Sequence, residues 1–168
     1  DYAKVKKKEN TGLSAGQKFL LQLVAAILFI VLLRNVGILT PNLYIPFVGV
    51  EIKLSWMVYM VFAALVMVGA VNAVNITDGV DGLATGVTLP VCAFFAAIAT
   101  YSTVFWNRAE SGPVAVFAAA LFGALVGFLI YNFHPAKIFM GDTGSLFLGG
   151  AVCGMAFAMD IPLILVLV

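Results

Sequence analysis

Charge is the scarcest property of this sequence. Only 10% of its 168 residues are charged, against about 25% in an ordinary soluble domain, and that argues against a water-soluble fold. Cysteine is nearly absent. Cys92 and Cys153 sit in apolar runs with no CxxC or metal-ligand spacing, so both read as small buried hydrophobes. The single histidine, His134, excludes a histidine-rich metal site. A formal net charge of +1 supplies no global field for nucleic acid, and no nucleic-acid partner is expected. The few cations are unevenly placed: Lys4, Lys6, Lys7 and Lys8 crowd the first ten residues.

Hydrophobic residues make up 63% of the chain. A membrane-spanning helix needs about 20 mainly apolar residues. Segments of that kind fall at about 17–36, 55–74, 83–103 and 113–131, with a shorter fifth at about 145–159. The expected fold is all-α, a polytopic transmembrane bundle. Ser14 followed by Gln17 predicts a capping box at the start of the first helix. Lys18 and Arg34 flank that helix and are expected to snorkel to the two interfaces. Between the first two spans, Val50, Ile52 and Leu54 alternate with Glu51 and Lys53. That period of two, beside Pro41, Pro46 and Gly49, predicts a short β-hairpin over about 43–54. Asp1 in place of a methionine, and an ending within the apolar run Leu163–Val168, lead us to expect a central piece of a longer protein.

Five alternating spans place residues 1–16, 75–82 and 132–144 on one side. The hairpin, residues 104–112 and Asp160 fall on the other. The first side holds Lys4, Lys6, Lys7, Lys8, Lys18 and Lys137, the second Arg34, Lys53 and Arg108. This bias predicts that the first side is cytoplasmic and the hairpin extracytoplasmic. Asp1, Asp78, Asp81 and Asp142 all land on that first face.

Ionisable groups at the edge of a span are costly and tend to be functional. In Asn72-Ala-Val-Asn75-Ile-Thr-Asp78-Gly-Val-Asp81-Gly-Leu83 a polar group recurs every third residue. A spacing of three turns each group about 60° back from the last, so a continuous helix would leave Asn72 and Asp81 facing apart. The helix is therefore expected to end near Asn75–Asp78, letting both carboxylates point into one cavity. The plainer alternative is a polar cap, since Asn and Asp favour caps and turns. In a second motif, Asn132-Phe-His134-Pro-Ala-Lys137-Ile-Phe139-Met-Gly141-Asp142-Thr143-Gly144-Ser145, two glycines bracket Asp142 just before the fifth span. A helix start suits phosphate, and a carboxylate there is a hard ligand for Mg²⁺ shared with substrate phosphates. Asp142 or Thr143 acting only as a helix cap is the alternative. The third element, residues 1–13, is by itself a basic patch beside the membrane. Carboxylates for metal, lysines for phosphate and adjacent lipid together fit phosphoryl transfer to a lipid acceptor. An ion-coupled transporter would want its charges deep within the spans, whereas these lie at the helix ends.

Asp1-Tyr-x-Lys4-Val with a following Asn10-x-Gly-Leu, the Asn72–Leu83 motif, and Phe139-Met-Gly-Asp-Thr-Gly-Ser-Leu146 carry a family resemblance over essentially the whole chain. The sequence resembles the phospho-N-acetylmuramoyl-pentapeptide transferases of the polyprenyl-phosphate N-acetylhexosamine-1-phosphate transferase superfamily. The second and third motifs mark the superfamily; the opening points to the muramoyl-pentapeptide branch. The resemblance implies part of a ten-helix fold in the bacterial cytoplasmic membrane, with its cleft on the cytoplasmic face. It implies UDP-N-acetylmuramoyl-pentapeptide and undecaprenyl phosphate as substrates, lipid I and UMP as products, Mg²⁺ as cofactor, and leaves a homodimer open. By resemblance Asp142 is the metal ligand and a catalytic residue, and Asp1 acts in acceptor activation or catalysis. Asn72, Asp78 and Asp81 match cleft residues near the nucleotide; Asp78 is expected to be catalytic, and Asn75, in the same motif, to bind substrate with Asn72 and Asp81. Asn132 and Phe139 match positions that hold uracil, and Lys4 and Lys8 match basic cleft residues that meet nucleotide or phosphate. The partner of Asp1 in the family's aspartate pair and the family's histidine-rich loop are not within these 168 residues.

Overall fold

A computed structural model describes residues 14–45 and 49–166. Among these residues five α-helices are joined by short connections: α1 (Ala15–Val36), α2 (Trp56–Thr77), α3 (Leu83–Phe105), α4 (Gly112–Asn132) and α5 (Gly141–Ala158). An antiparallel hairpin, β1 (Asn42–Ile45) and β2 (Val50–Lys53), lies between α1 and α2. Its register pairs Asn42 with Lys53 and Ile45 with Val50.

Local chemistry sets the helix ends. Ser14 Oγ accepts from the Gln17 N–H at 3.3 Å, and Gln17 Oε1 accepts from the Ser14 N–H at 3.0 Å, so the expected capping box is present. Gly37 closes α1 in the left-handed region at φ 78°, where only glycine sits without steric cost. Ser55 caps α2 through the Val58 N–H. Helix α2 stops at Thr77, with Asp78 as its C-cap.

Among the described residues, four stretches are long and apolar enough to cross a membrane: Ala15–Val36, Trp56–Thr77, Leu83–Phe105 and Ala109–Asn132. The helix over the fifth expected span, 145–159, starts earlier than expected. The helix there begins at Gly141 and has 18 residues. Its first turn carries Asp142, Thr143 and two glycines, which makes it less apolar than the other four. It is instead the most enclosed helix, burying Leu148, Ala151, Val152, Cys153, Met155, Ala156 and Phe157. By contrast, α1 buries only Ala26 and Ile30, and leaves Leu20, Leu21, Leu28 and Leu32 exposed. Such an apolar outer surface suits lipid rather than water. The protein is a multi-pass membrane protein with a helical bundle fold.

The packing runs in pairs: α3 lies along α4, α2 along α5, and α1 along α2. Tyr59, Ala63, Phe95, Ala99, Cys153 and Phe157 are fully buried between them. Both cysteines are buried and free, as their apolar surroundings predict. Where α5 crosses α2, Gly149 brings the backbones together so closely that an added Cβ would lie 2.7 Å from Val71 Cα. Up-and-down connectivity then gathers the start of α1, the end of α2, the end of α4 and the start of α5 at one end. The hairpin and the 109–111 turn lie at the other. There Thr40 Oγ1 donates to Asp160 at 2.6 Å, and the Arg34 guanidinium stacks 4.5 Å over the Trp56 ring. Arg34, read as an interfacial anchor, thus has an aromatic partner of its own.

Candidate active site

At the end shared by α2, α4 and α5 lies a pocket of about 200 Å³. Its walls include Asn75, Asp78, Asp81, Asn132, Phe139 and Asp142. Two motifs some sixty residues apart in the chain therefore meet in one cavity. The α2–α3 turn makes this meeting possible. Gly82 adopts φ 72°, and a Cβ on it would come within 3.4 Å of the Asn132 carbonyl and of Leu129. The turn is pressed against the last turn of α4, and a side chain there would be both strained and crowded.

Asp78 and Asp142 face the pocket from opposite helices. Burial, and then the charge of Asp142, hold the Asp78 carboxyl above the usual carboxylate range. Such mutual repulsion is typical of carboxylates sharing one site. Asp142 stands in the first turn of α5, where the helix dipole favours negative charge. The residue before this helix, Met140, makes no side-chain cap. Asp142 also forms an ion pair with Lys18 Nζ at 2.5 Å. Lys18, expected to snorkel, instead turns inward across 124 residues of sequence. Both side chains are about 40% exposed, so the pair adds little to stability; its effect is to place a cation at the pocket rim.

Asp81 ties down the loop between α4 and α5. Its Oδ2 accepts the Ala136 N–H at 3.0 Å and lies 3.1 Å from His134 Nδ1. The Ala136 N–H lowers the Asp81 pKa most; burial opposes it as the next largest effect, and the His134 hydrogen bond and charge add smaller lowering contributions. Asn75 Nδ2 donates to Ser145 Oγ at 2.7 Å, linking α2 to α5 beside the two carboxylates. Asn132 is almost fully buried. It accepts from Thr85 Oγ1 at 2.8 Å and donates to the Ile138 carbonyl at 3.0 Å. Phe139 is 72% exposed and presents its ring at the pocket. Asn72 is not among the pocket residues. It bonds Gln22 of α1 and the Val68 carbonyl. Asp1, Lys4 and Lys8 lie outside the described residues.

No group of three or more His, Cys, Asp and Glu side chains able to hold a metal occurs among the described residues. The donor set nonetheless fits Mg²⁺, which usually takes one or two carboxylates and completes its shell with water and phosphate oxygens. Asp78 and Asp142 are two hard oxygen donors lining one pocket. Sequence reasoning missed Lys18, Ser145 and Thr85 as participants. Ser145 lies within a motif that could have flagged it. Lys18 could have been suspected from its place at the carboxylate-rich end. Nothing local distinguishes Thr85.

A sequence profile for glycosyl transferase family 4 matches residues 8–160. Among curated relatives, the phospho-N-acetylmuramoyl-pentapeptide-transferase of Oceanobacillus iheyensis is 42% identical over 168 residues, all of this chain and 49% of that protein. The protein of the same name from Halalkalibacterium halodurans is 44% identical over the same lengths. That from Acetivibrio thermocellus is 45% identical over 170 residues, again 49% of its length. The chain spans about half the length of the curated relatives it matches. A match over nearly all of its residues, in motifs that the fold brings to one pocket, shows that the chain belongs to glycosyl transferase family 4.

Proposed function

We propose that the full-length protein carrying these residues transfers phospho-N-acetylmuramoyl-pentapeptide from UDP-N-acetylmuramoyl-pentapeptide to undecaprenyl phosphate, giving lipid I and UMP. The observation that supports this most is the convergence of the Asn75–Asp81 and Asn132–Asp142 motifs on one polar pocket at the end of an apolar bundle. The relatives' shared name supplies the substrate.

In the proposed reaction an oxygen of the acceptor phosphate attacks the sugar-bound phosphorus of the UDP-sugar. The bond from that phosphorus to the UMP oxygen breaks, and a new pyrophosphate joins lipid to sugar. Catalysis of this kind is mostly positioning and charge neutralisation. Asp142, with Asp78 beside it, would hold Mg²⁺, which supplies positive charge against the substrate phosphates. Lys18 sits where it can exchange its carboxylate partner for a phosphate oxygen. Phe139 offers a flat face for uracil, and Asn132 and Asp81 the polar edges around it. Lys4 and Lys8 are proposed to meet phosphate, and Asp1 to act on the acceptor. The excess of lysine at this end supports a cytoplasmic-facing pocket.

The test is UMP release by the purified full-length protein in detergent with undecaprenyl phosphate. Turnover with UDP-N-acetylmuramoyl-pentapeptide should depend on Mg²⁺ and fall at least about a hundredfold in Asp142→Asn, with the thermal midpoint kept. Turnover with UDP-N-acetylglucosamine alone would overturn the substrate; near-normal activity of Asp142→Asn would overturn the site.

A further inference from the structure

We infer that Thr85, a buried residue outside every motif above, is a positioning residue for the loop that presents Phe139. The inference rests on the uridine reading of the pocket and extends it to the inside of the bundle.

Thr85 differs from four other threonines of α2 and α3. Thr77, Thr88, Thr100 and Thr103 each turn the hydroxyl back onto the carbonyl four residues earlier in their own helix, the usual outlet for a threonine in an apolar setting. Thr85 stands in the first turn of α3, and the residue four before it, Asp81, lies outside that helix. Its hydroxyl crosses instead to α4 and meets Asn132 Oδ1 at 2.8 Å. Thr85 is 0% exposed and Asn132 is 3% exposed, so water does not compete freely for this bond.

The Ile138 carbonyl decides which way the Asn132 amide points. The Ile138 carbonyl can only accept, so it needs the amide nitrogen, 3.0 Å away. That leaves the amide oxygen toward Thr85, whose hydroxyl must donate. The Lys137 and Ile138 N–H groups donate to the Tyr131 carbonyl at 2.8 and 3.2 Å. Ile138 is thus held through both its N–H and its C=O, and the exposed Phe139 is the next residue along. Asp81 secures the same loop from outside, at Ala136. Thr85 secures it from within, through Asn132. Without the Thr85 hydroxyl the buried amide oxygen loses its donor, Asn132 is held from one side only, and the aromatic face is no longer pre-set for the base.

The experiment uses the full-length protein with Thr85→Val, Thr85→Cys, Thr85→Ser and, as a control, Thr88→Val. UMP binding is measured by calorimetry, and KM for each substrate and kcat by UMP release. Thr85→Val should weaken UMP binding and raise the UDP-sugar KM about tenfold, the scale of one buried hydrogen bond lost. The KM for polyprenyl phosphate should hold, and kcat should stay within about twofold. Thr85→Cys, which keeps the size and a weak donor, should fall between, and carries the test if the valine variant does not fold. Thr85→Ser should behave as wild type, and Thr88→Val should leave UMP binding unchanged. Equal loss toward both substrates, or unchanged UMP binding by folded Thr85→Val and Thr85→Cys, would overturn the inference. If Phe139→Ala still weakened UMP binding in that case, the uridine reading would survive. A wild type that bound no UMP would overturn both.

Discussion

Gly149 offers the sharpest perturbation of the site from a distance. It is a point of close approach between α5 and α2, and an alanine methyl there would meet Val71 backbone at 2.7 Å (Cα), 3.1 Å (O) and 3.3 Å (C). Backbone cannot rotate out of the way as a side chain can. Moving the nearest atom from 2.7 Å to the 3.4 Å of ordinary contact requires the helices to part by on the order of 0.7 Å. Overpacking of this kind costs about 1–3 kcal/mol, and the better helix propensity of alanine returns about 1 kcal/mol. The net loss of stability should therefore be about 2 kcal/mol or less. The effect on chemistry should be larger. One turn along from the Gly149–Val71 contact lies the Asn75–Ser145 bond, 2.7 Å long, and one turn further lie Asp78 and Asp142. Parting the helices acts directly on the spacing of the carboxylates, and misplacement of about 1 Å can cost on the order of a hundredfold in rate. We expect Gly149→Ala in the full-length protein to lose about ten- to a hundredfold in kcat/KM while staying folded. Gly150→Ala adds the same methyl where nothing lies within 4 Å among the described residues, and it should keep wild-type turnover. The assays are UMP release and thermal unfolding in the same detergent. Wild-type turnover by Gly149→Ala, or equal behaviour of the two variants, would refute the reasoning.

Other consequences are open to test. The raised Asp78 carboxyl means that its charged form opposes folding at neutral pH. In chelator, Asp78→Asn should therefore raise the thermal midpoint, and the gap should close as pH falls through the carboxylate range, where wild type protonates itself; a gap independent of pH would contradict the sign. Asp81 behaves oppositely: its depressed pKa means that its hold on the loop is present above the usual carboxylate range and is lost as pH falls through the folded value. Asp81→Ala should speed hydrogen exchange at the Ala136 amide about tenfold at neutral pH, with no matching change in the core of α2. Single cysteines at Thr77 and Thr143 should label from the cytoplasm, and at Glu51 and Glu110 from outside. Labelling of the first two from opposite sides would rule out a shared pocket.

Much of the architecture was legible because its causes are local. The run of apolar residues before a polar break sets the length of α1 to α4, and Ser14, Gln17 and Gly37 mark the ends of α1. The alternation from Val50 to Leu54 announced the hairpin. The start of α5 was misjudged because Asp142, Thr143 and Gly144 look like a loop, yet they form the first turn of a helix enclosed by protein. Lys18 looked like an interfacial lysine because nothing near it in sequence reveals Asp142. Asn72 and Asn75 share one motif, but their helical offset sends Asn72 toward Gln22 on α1 and Asn75 to the pocket wall.

What the sequence by itself determined is the set of helices, their up-and-down order, and hence which connections share an end of the bundle. This follows because helix formation in an apolar run and capping by neighbouring residues are short-range effects, and alternation is counting. What only the tertiary structure decided is which side chains meet there: Lys18 with Asp142, Asn75 with Ser145, Thr85 with Asn132. The helical repeat fixes the angle between two residues on one helix. It leaves open how each helix is rotated against its neighbour. That rotation is set by the close contacts between them, where Gly149 admits Val71 and Gly82 admits the end of α4.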